Sequence, residues 1–205
     1  MKLPLSALAL APAAIVLAAP AAQSQTDKLS SVSAHMQAVS TMTANFTQTD
    51  RKGRTSAGTL LLKRPGHVRF EYGNGGDLLI VGDGKSLNVI DYQVRQVQRW
   101  PIGNSPLSAL LNPGQDVRKY GKLAPTSSDD VISVNVSDPK RPEYGVMTMV
   151  FVKQAGAPGG YTLNGWVSLD SKNNRTSVRL SNVKYNTAIA NSRFNWKDPR
   201  PKIRK

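Results

Sequence analysis

The chain contains no cysteine in 205 residues. It therefore has no disulfide, no thiolate nucleophile and no cysteine-ligated zinc. Histidine is nearly as scarce: His35 and His67 are the only two, and their separation is not a metal-ligand spacing. Glutamate occurs twice, at Glu71 and Glu143. Asp77, Asp83 and Asp91 leave a carboxylate pair for glycoside hydrolysis open. Each sits in a turn signal, however, and Asp83-Gly84 reads as a hairpin turn. No G-x-S-x-G elbow and no phosphate-cradling glycine loop occurs, because "GNGG" (73–76) joins strand to strand. These absences predict a protein that is not an enzyme and holds neither cofactor nor metal.

Long apolar runs are missing too, with one exception. Lys2 is followed by an apolar stretch from Leu3 to Ala19 and then by "AAPAAQSQ", in which Ala19-Pro20-Ala21 fits an A-x-A cleavage site. That pattern predicts a secretory signal over residues 1–22, with cleavage after Ala21 or Ala22, rather than a membrane anchor. No cysteine follows the run to carry a lipid. Residues 23–205 form one expected domain, large enough to bury a core without cross-links.

What the chain has in excess is positive charge: 27 Lys and Arg against 13 Asp and Glu, a formal +14. Such a balance favours anionic partners. Export and the lack of an aromatic-interleaved basic motif argue against nucleic acid. A transient contact with anionic membrane surfaces is the better expectation, beside plain solubility. Residues 197–205, "KDPRPKIRK", concentrate five of the charges on a segment that Pro199 and Pro201 keep extended.

From Asp27 to about Phe46 the apolar positions Leu29, Val32, Met36, Val39, Met42 and Phe46 are spaced by three and four. This predicts an amphipathic helix capped at Thr26 or Asp27. Strands are expected at Ala44–Arg51, Thr55–Lys63, His67–Tyr72, Asp77–Gly82, Ser86–Asp91, Gln93–Pro101, Val131–Ser137, Gly145–Lys153, Tyr161–Asp170 and Thr176–Asn186. Short strands so closely spaced imply an antiparallel meander. "LLIV" (78–81) and "VMTMVFV" (146–152) are apolar on both faces and call for cover on both sides. Within "GNSPLSALLNPG" (103–114), Leu107, Leu110 and Leu111 form a short apolar helix, either core or a lid over a concave sheet.

A helix leading into "ANFTQ", then "GTLLLKRPGHVRFEY", "LIVGDGKSLNVID", "SPLSALL" and "GWVSLDSKNNRTSVRLSNVKYN" together resemble the bacterial outer-membrane lipoprotein carrier family, LolA. The likeness covers nearly all of residues 23–205, and the "KRPG" and "DGKSL" blocks are its most specific parts. It implies a mainly β fold: an incomplete, open antiparallel barrel of about eleven strands, with an N-terminal amphipathic helix and a short helical lid over a hydrophobic cavity. It also implies a periplasmic chaperone, monomeric and without cofactor. Such a carrier takes triacylated lipoproteins from an inner-membrane ABC release complex and passes them to an outer-membrane acceptor.

On this resemblance Leu60, Leu62, Val68, Phe70, Leu79, Val81, Val89, Met147, Met149 and Phe151 are the expected cavity. Arg64, before Pro65, matches an arginine that bonds lid carbonyls, with Leu107, Leu110 and Leu111 as the lid. The departures from the family pattern are Val68 and Asn88-Val89, where aromatics are common, and the basic end after Phe194, Trp196 and Pro199. They leave the cargo open. A half-barrel that senses envelope stress, or carries free lipid or glycolipid, is the alternative function.

Overall fold

In the computed structural model, residues 20–73, 77–102, 108–111, 116–137 and 142–201 are described. Alternation along the strands governs their arrangement. Leu60 and Leu62 on one strand, Val68 and Phe70 on the next, and Met147, Met149 and Phe151 on a third all turn to one face and are buried. A period of two sends every second side chain to the same side of a sheet.

The elements, in chain order, are helix α1 (Pro20–Ala38), strands β1 (Thr41–Thr49), β2 (Thr55–Lys63), β3 (His67–Tyr72), β4 (Leu78–Asp83), β5 (Ser86–Asp91) and β6 (Gln96–Pro101), short helices α2 (Ser108–Leu111) and α3 (Val117–Tyr120), then β7 (Gly121–Ala124), β8 (Val131–Ser137), β9 (Val146–Lys153), β10 (Tyr161–Leu169) and β11 (Arg175–Tyr185). Single turns of 3-10 helix lie at Pro142–Tyr144, Pro158–Gly160 and Asn191–Phe194. The strands make one antiparallel sheet in the order β6-β5-β4-β3-β2-β1-β11-β10-β9-β8-β7. It does not close, since β6 and β7 are its two edges. The chain between those edges carries α2 and α3.

The sheet is thus the expected open antiparallel barrel, with eleven strands, and β2, β3, β5 and β8 have the predicted bounds. The first helix does not. α1 begins by Pro20 and ends at Ala38, so Thr26 and Asp27 lie inside it, and Met42 and Phe46 belong to β1. Met42, Ala44 and Phe46 also alternate, and Thr41, Thr43, Thr47 and Thr49 favour strand. Asn186 sets the boundary: its Nδ2 donates to Ala38 O at 2.9 Å, and its Oδ1 accepts from Ser40 N at 2.9 Å. A residue about 148 positions away in the chain therefore ends the helix.

The concave face carries the core, and α1 and α2 cover it. Val32 and Met36 of α1, Val39 just after it, and Leu110 and Leu111 of α2 are buried against Leu60, Phe70, Met149 and Phe151. Phe46 lies directly over Gly58, its partner on β2. A Cβ at Gly58 would meet Glu71 O and come within 2.9 Å of the Phe46 ring.

On the convex face, Leu79, Val81, Ile90 and Phe194 form a second buried cluster, flanked by Leu61, Ile189 and Trp196. The chain from Ile189 to Lys197 crosses this face and is tied down by polar bonds. Lys63 Nζ donates to Ile189 O at 2.8 Å, Arg69 Nη1 to Asn195 O at 3.2 Å, and Tyr92 OH to Lys197 O at 3.1 Å. The expectation that Leu79 and Val81 line the cavity is therefore corrected. They stand opposite Glu71 and Arg69, one residue out of phase with Phe70 and Val68, and a shift of one residue changes face. "LLIV" does have cover on both sides, but the second cover is the C-terminal segment.

Residues 1–19, Leu107 and residues 202–205 lie outside the described set, and with them most of the expected signal, one lid leucine and the last four residues of the basic tail. From Lys197 to Pro201 the chain has no regular structure and is mostly exposed, as its prolines require. β7 and α3 were not expected; "VRKYGKLA" is too short and too polar to show a period.

Candidate functional site

Leu60, Leu62, Val68, Phe70, Met147, Met149 and Phe151 come together on the concave face as one buried cluster. Val89 shares their side, because it faces Ile80, which faces Phe70, and directly opposed residues point the same way. It is half-buried. Strong members that sequence reasoning missed are Met42, Phe46, Leu163, Trp166, Val178 and Leu180. Met42 and Phe46 were hidden by the helical spacing, and Leu163 and Trp166 by a bulge, since the β9–β10 register shifts between Leu163 and Gly165.

Aromatic rings make up the floor. Phe46 meets Phe70 edge to face at 5.4 Å and Tyr72 at 4.9 Å, while Phe70 meets Trp166 at 6.1 Å. Tyr72 OH donates to Gln48 Oε1 at 2.9 Å, and burial pushes its phenol up to about 12. Every other side chain named on this face is apolar, so it can bind hydrocarbon and perform no proton transfer.

Arg64, at the turn after β2, joins this face to its covers. Its Nε donates to Leu110 O of α2 at 3.0 Å. Its Nη1 donates to Met36 O in the last turn of α1 and, at 2.9 Å, to Val39 O just beyond it. Nη2 lies 3.3 Å from Met36 Sδ. The fixed fork of a guanidinium suits three acceptors in different directions, and a cation is favoured where a helix ends. Burial draws its pKa down to about 10, which still leaves it charged at neutral pH. Gly66 N adds a bond to Leu111 O at 3.1 Å.

Farther up, α1 is held by side chains. Ser33 Oγ donates to Asp116 Oδ1 at 3.1 Å, and Asp116 caps α3 by accepting from Arg118 N. The Arg118 guanidinium holds the Asp116 carboxyl well below the usual carboxylate range. His35 is buried with its Nδ1 2.9 Å from Pro158 O, so that nitrogen carries a proton and donates. Its ring meets Phe151 at 5.3 Å and Tyr185 at 5.1 Å. Burial lowers the pKa of His35 against the opposing pull of its main-chain bonds, and the nearby Arg64 cation lowers it further. At Gly159, φ is +66° and a Cβ would come within 2.7 Å of His35 N, so the 3-10 turn packs directly on α1.

The three aspartates near turns hold turns. Asp83 Oδ1 accepts from Lys85 N and Ser86 N, and Asp91 Oδ1 from Gln93 N and Val94 N. Asp77 Oδ2 accepts from Gln93 Nε2. Among the described residues no group of three potential metal ligands occurs, and no helix is long and apolar enough to cross a membrane.

The model of the family "Outer membrane lipoprotein carrier protein LolA" matches residues 37–197, from the end of α1 to the segment on the convex face. The chain belongs to the LolA family. The outer-membrane lipoprotein carrier protein of Chromobacterium violaceum is 29% identical over 197 residues, spanning 92% of each chain. That of Methylobacillus flagellatus is 31% identical over 182 residues, 84% of this chain and 86% of that one. A solved LolA superfamily protein from Nitrosomonas europaea covers 84% of this chain and 97% of its own, at 10% identity and a TM-score of 0.46, too loose a match to carry argument. LolA proteins are non-enzymatic, periplasmic carriers that shuttle lipoproteins to the outer membrane, and that is the function of this chain.

Proposed function

We propose that the acyl chains of a lipoprotein occupy the concave face of the LolA sheet after α1 and α2 move off it. The observation that carries this reading is Arg64: one half-buried cation from the turn after β2 bonds main-chain carbonyls of both covering helices, Met36 O of α1 and Leu110 O of α2. Each buried methylene contributes about 0.8 kcal/mol, so a multiply acylated protein does not leave a bilayer unless an equally apolar surface receives it. Exposed permanently, that surface would aggregate, so it must be covered when empty. In the closed state α1 and α2 supply the cover. In the loaded state the acyl chains supply it, and the bonds of Arg64 to α1 and α2 are given up.

On this reading residues 1–22 direct export to the periplasm. The carrier is loaded by an inner-membrane ABC release complex and unloaded at an outer-membrane acceptor. The cargo is triacylated, and the protein works as a monomer. The test is to isolate the tagged protein from periplasm and identify its bound species by mass spectrometry. Acylated N-terminal peptides of lipoproteins support the reading, and free phospholipid or glycolipid alone would replace it.

A further inference from the structure

Among the described residues the two exposed large hydrophobic side chains are Val94, 60% exposed, and Trp100, 45% exposed. Both lie on one short piece of chain: Val94 in the turn before β6, Trp100 near the end of that strand. β6 is an edge. β5 pairs along one side of it, and no described strand pairs along the other. Open edges are usually blunted by bulges, inward charges or a covering loop, since a row of free N–H and C=O groups is a template for another strand. Here the strand pairs with β5 in unbroken register from Gln96 to Pro101, and its proline comes only at the end.

The side chains on that edge are polarised. Trp100 stands opposite Leu87, on the concave side, while Arg99 stands opposite Asn88, on the convex side. Arg95, at φ 54° in the turn, brings a second exposed guanidinium. The carboxylate within reach of Arg99 is Asp83, at 3.6 Å, and it already accepts from Lys85 N, Ser86 N and Asn88 Nδ2. The edge therefore offers main-chain groups, an indole and an excess of cations. Trp and Arg are also the residue types that most often dominate protein–protein contacts.

We propose that β6 receives an added strand: an extended, acidic segment of a partner protein. It pairs main chain to main chain along the edge that no described strand occupies, with carboxylates at Arg95 and Arg99 and an apolar side chain on Trp100. A second copy is the wrong occupant, because each chain carries a formal +14 and a β6–β6 pair would bring these arginines together. A bilayer supplies anions but no peptide groups for the edge. The proposal does not depend on what the concave face binds.

The test uses the full chain and a capped hexapeptide alternating glutamate with valine. Amide exchange at residues 96–100 should slow with this peptide and not with its lysine–valine counterpart. Arg99→Gln together with Arg95→Gln should weaken binding about tenfold, as loss of charge complementarity at a contact does. Both side chains are exposed, and circular dichroism checks that the variant keeps its fold. A glutamate–valine peptide N-methylated at every residue has no main-chain N–H on either edge and should not bind. The proposal is overturned if the lysine peptide protects these amides equally, or if the methylated peptide binds as well. It also fails if phosphatidylglycerol vesicles alone give the same protection, or if protection follows protein dimerisation.

Discussion

Arg64 donates to carbonyls on two separate helices, so its removal should be read in their motion and not in the sheet. Arg64→Leu leaves Leu110 O, Val39 O and Met36 O without the guanidinium. Hydrogen bonds to a charged group are worth about 1.5–3 kcal/mol each. The empty, closed state loses that stabilisation while the loaded state does not, so the equilibrium shifts toward retention. The variant should still take up lipoprotein but hand it to acceptor-bearing vesicles at least about tenfold more slowly, roughly 1.4 kcal/mol. Handover at the wild-type rate would make Arg64 a structural residue only. His35 gives a pH dependence with a definite sign. Its folded pKa lies below 6.5, so the unfolded chain binds the proton more readily. Its contribution to stability is complete above about pH 6.5 and is lost as pH falls toward the folded value. The urea midpoint should therefore drop between pH 7.5 and pH 5, and His35→Gln should flatten that drop. An equal drop in the variant would assign the effect to other groups.

At the scale of elements, β9 and β4 look alike in sequence and differ in what covers them. Met147, Met149 and Phe151 of β9 meet the helices, whereas Leu79 and Val81 of β4 meet Phe194. Leu79→Ala should thus cost about 2–5 kcal/mol of stability, the range for a buried leucine, and leave cargo affinity per folded molecule unchanged. Phe70→Ala should weaken cargo binding as well. If thermal melts and binding isotherms show Leu79→Ala reducing affinity as much as Phe70→Ala, the convex face takes part in carriage. The same comparison marks how much was legible in advance. Strands such as "HVRFEY" and "VISVNVS" alternate between turn signals, and their bounds can be read directly. The end of α1 could not be, because Met42 and Phe46 satisfy both periods and the deciding contact is Asn186, far along the chain. Nor could the face of Leu79 be read, since "LLIV" is apolar at every position and only its register with Arg69 and Glu71 decides. Arg64 was legible only through its resemblance to a family position; composition and spacing alone leave it a strand-end arginine.

For the molecule as a whole, the proposed function separates two tasks on one open sheet: apolar carriage on the inside and polar contact on the outside. The formal +14 charge is assigned to the second on that proposal. Near an anionic surface each basic residue contributes about 1 kcal/mol, screened within a Debye length. Deleting residues 201–205 should weaken association with anionic vesicles at low ionic strength while acyl-chain affinity is unchanged. Equal association with and without them would leave the tail no docking role. The central claim, that acyl chains lie on the concave face, is tested most directly by two neighbouring residues of β9. Met149 is buried on that face and Val150 points the opposite way. A photo-crosslinking residue placed at each position in turn, in protein loaded with lipoprotein, reads the side occupied. Adducts to the acyl moiety from position 149 and none from position 150 are the predicted result; equal labelling, or labelling from 150 alone, would contradict it.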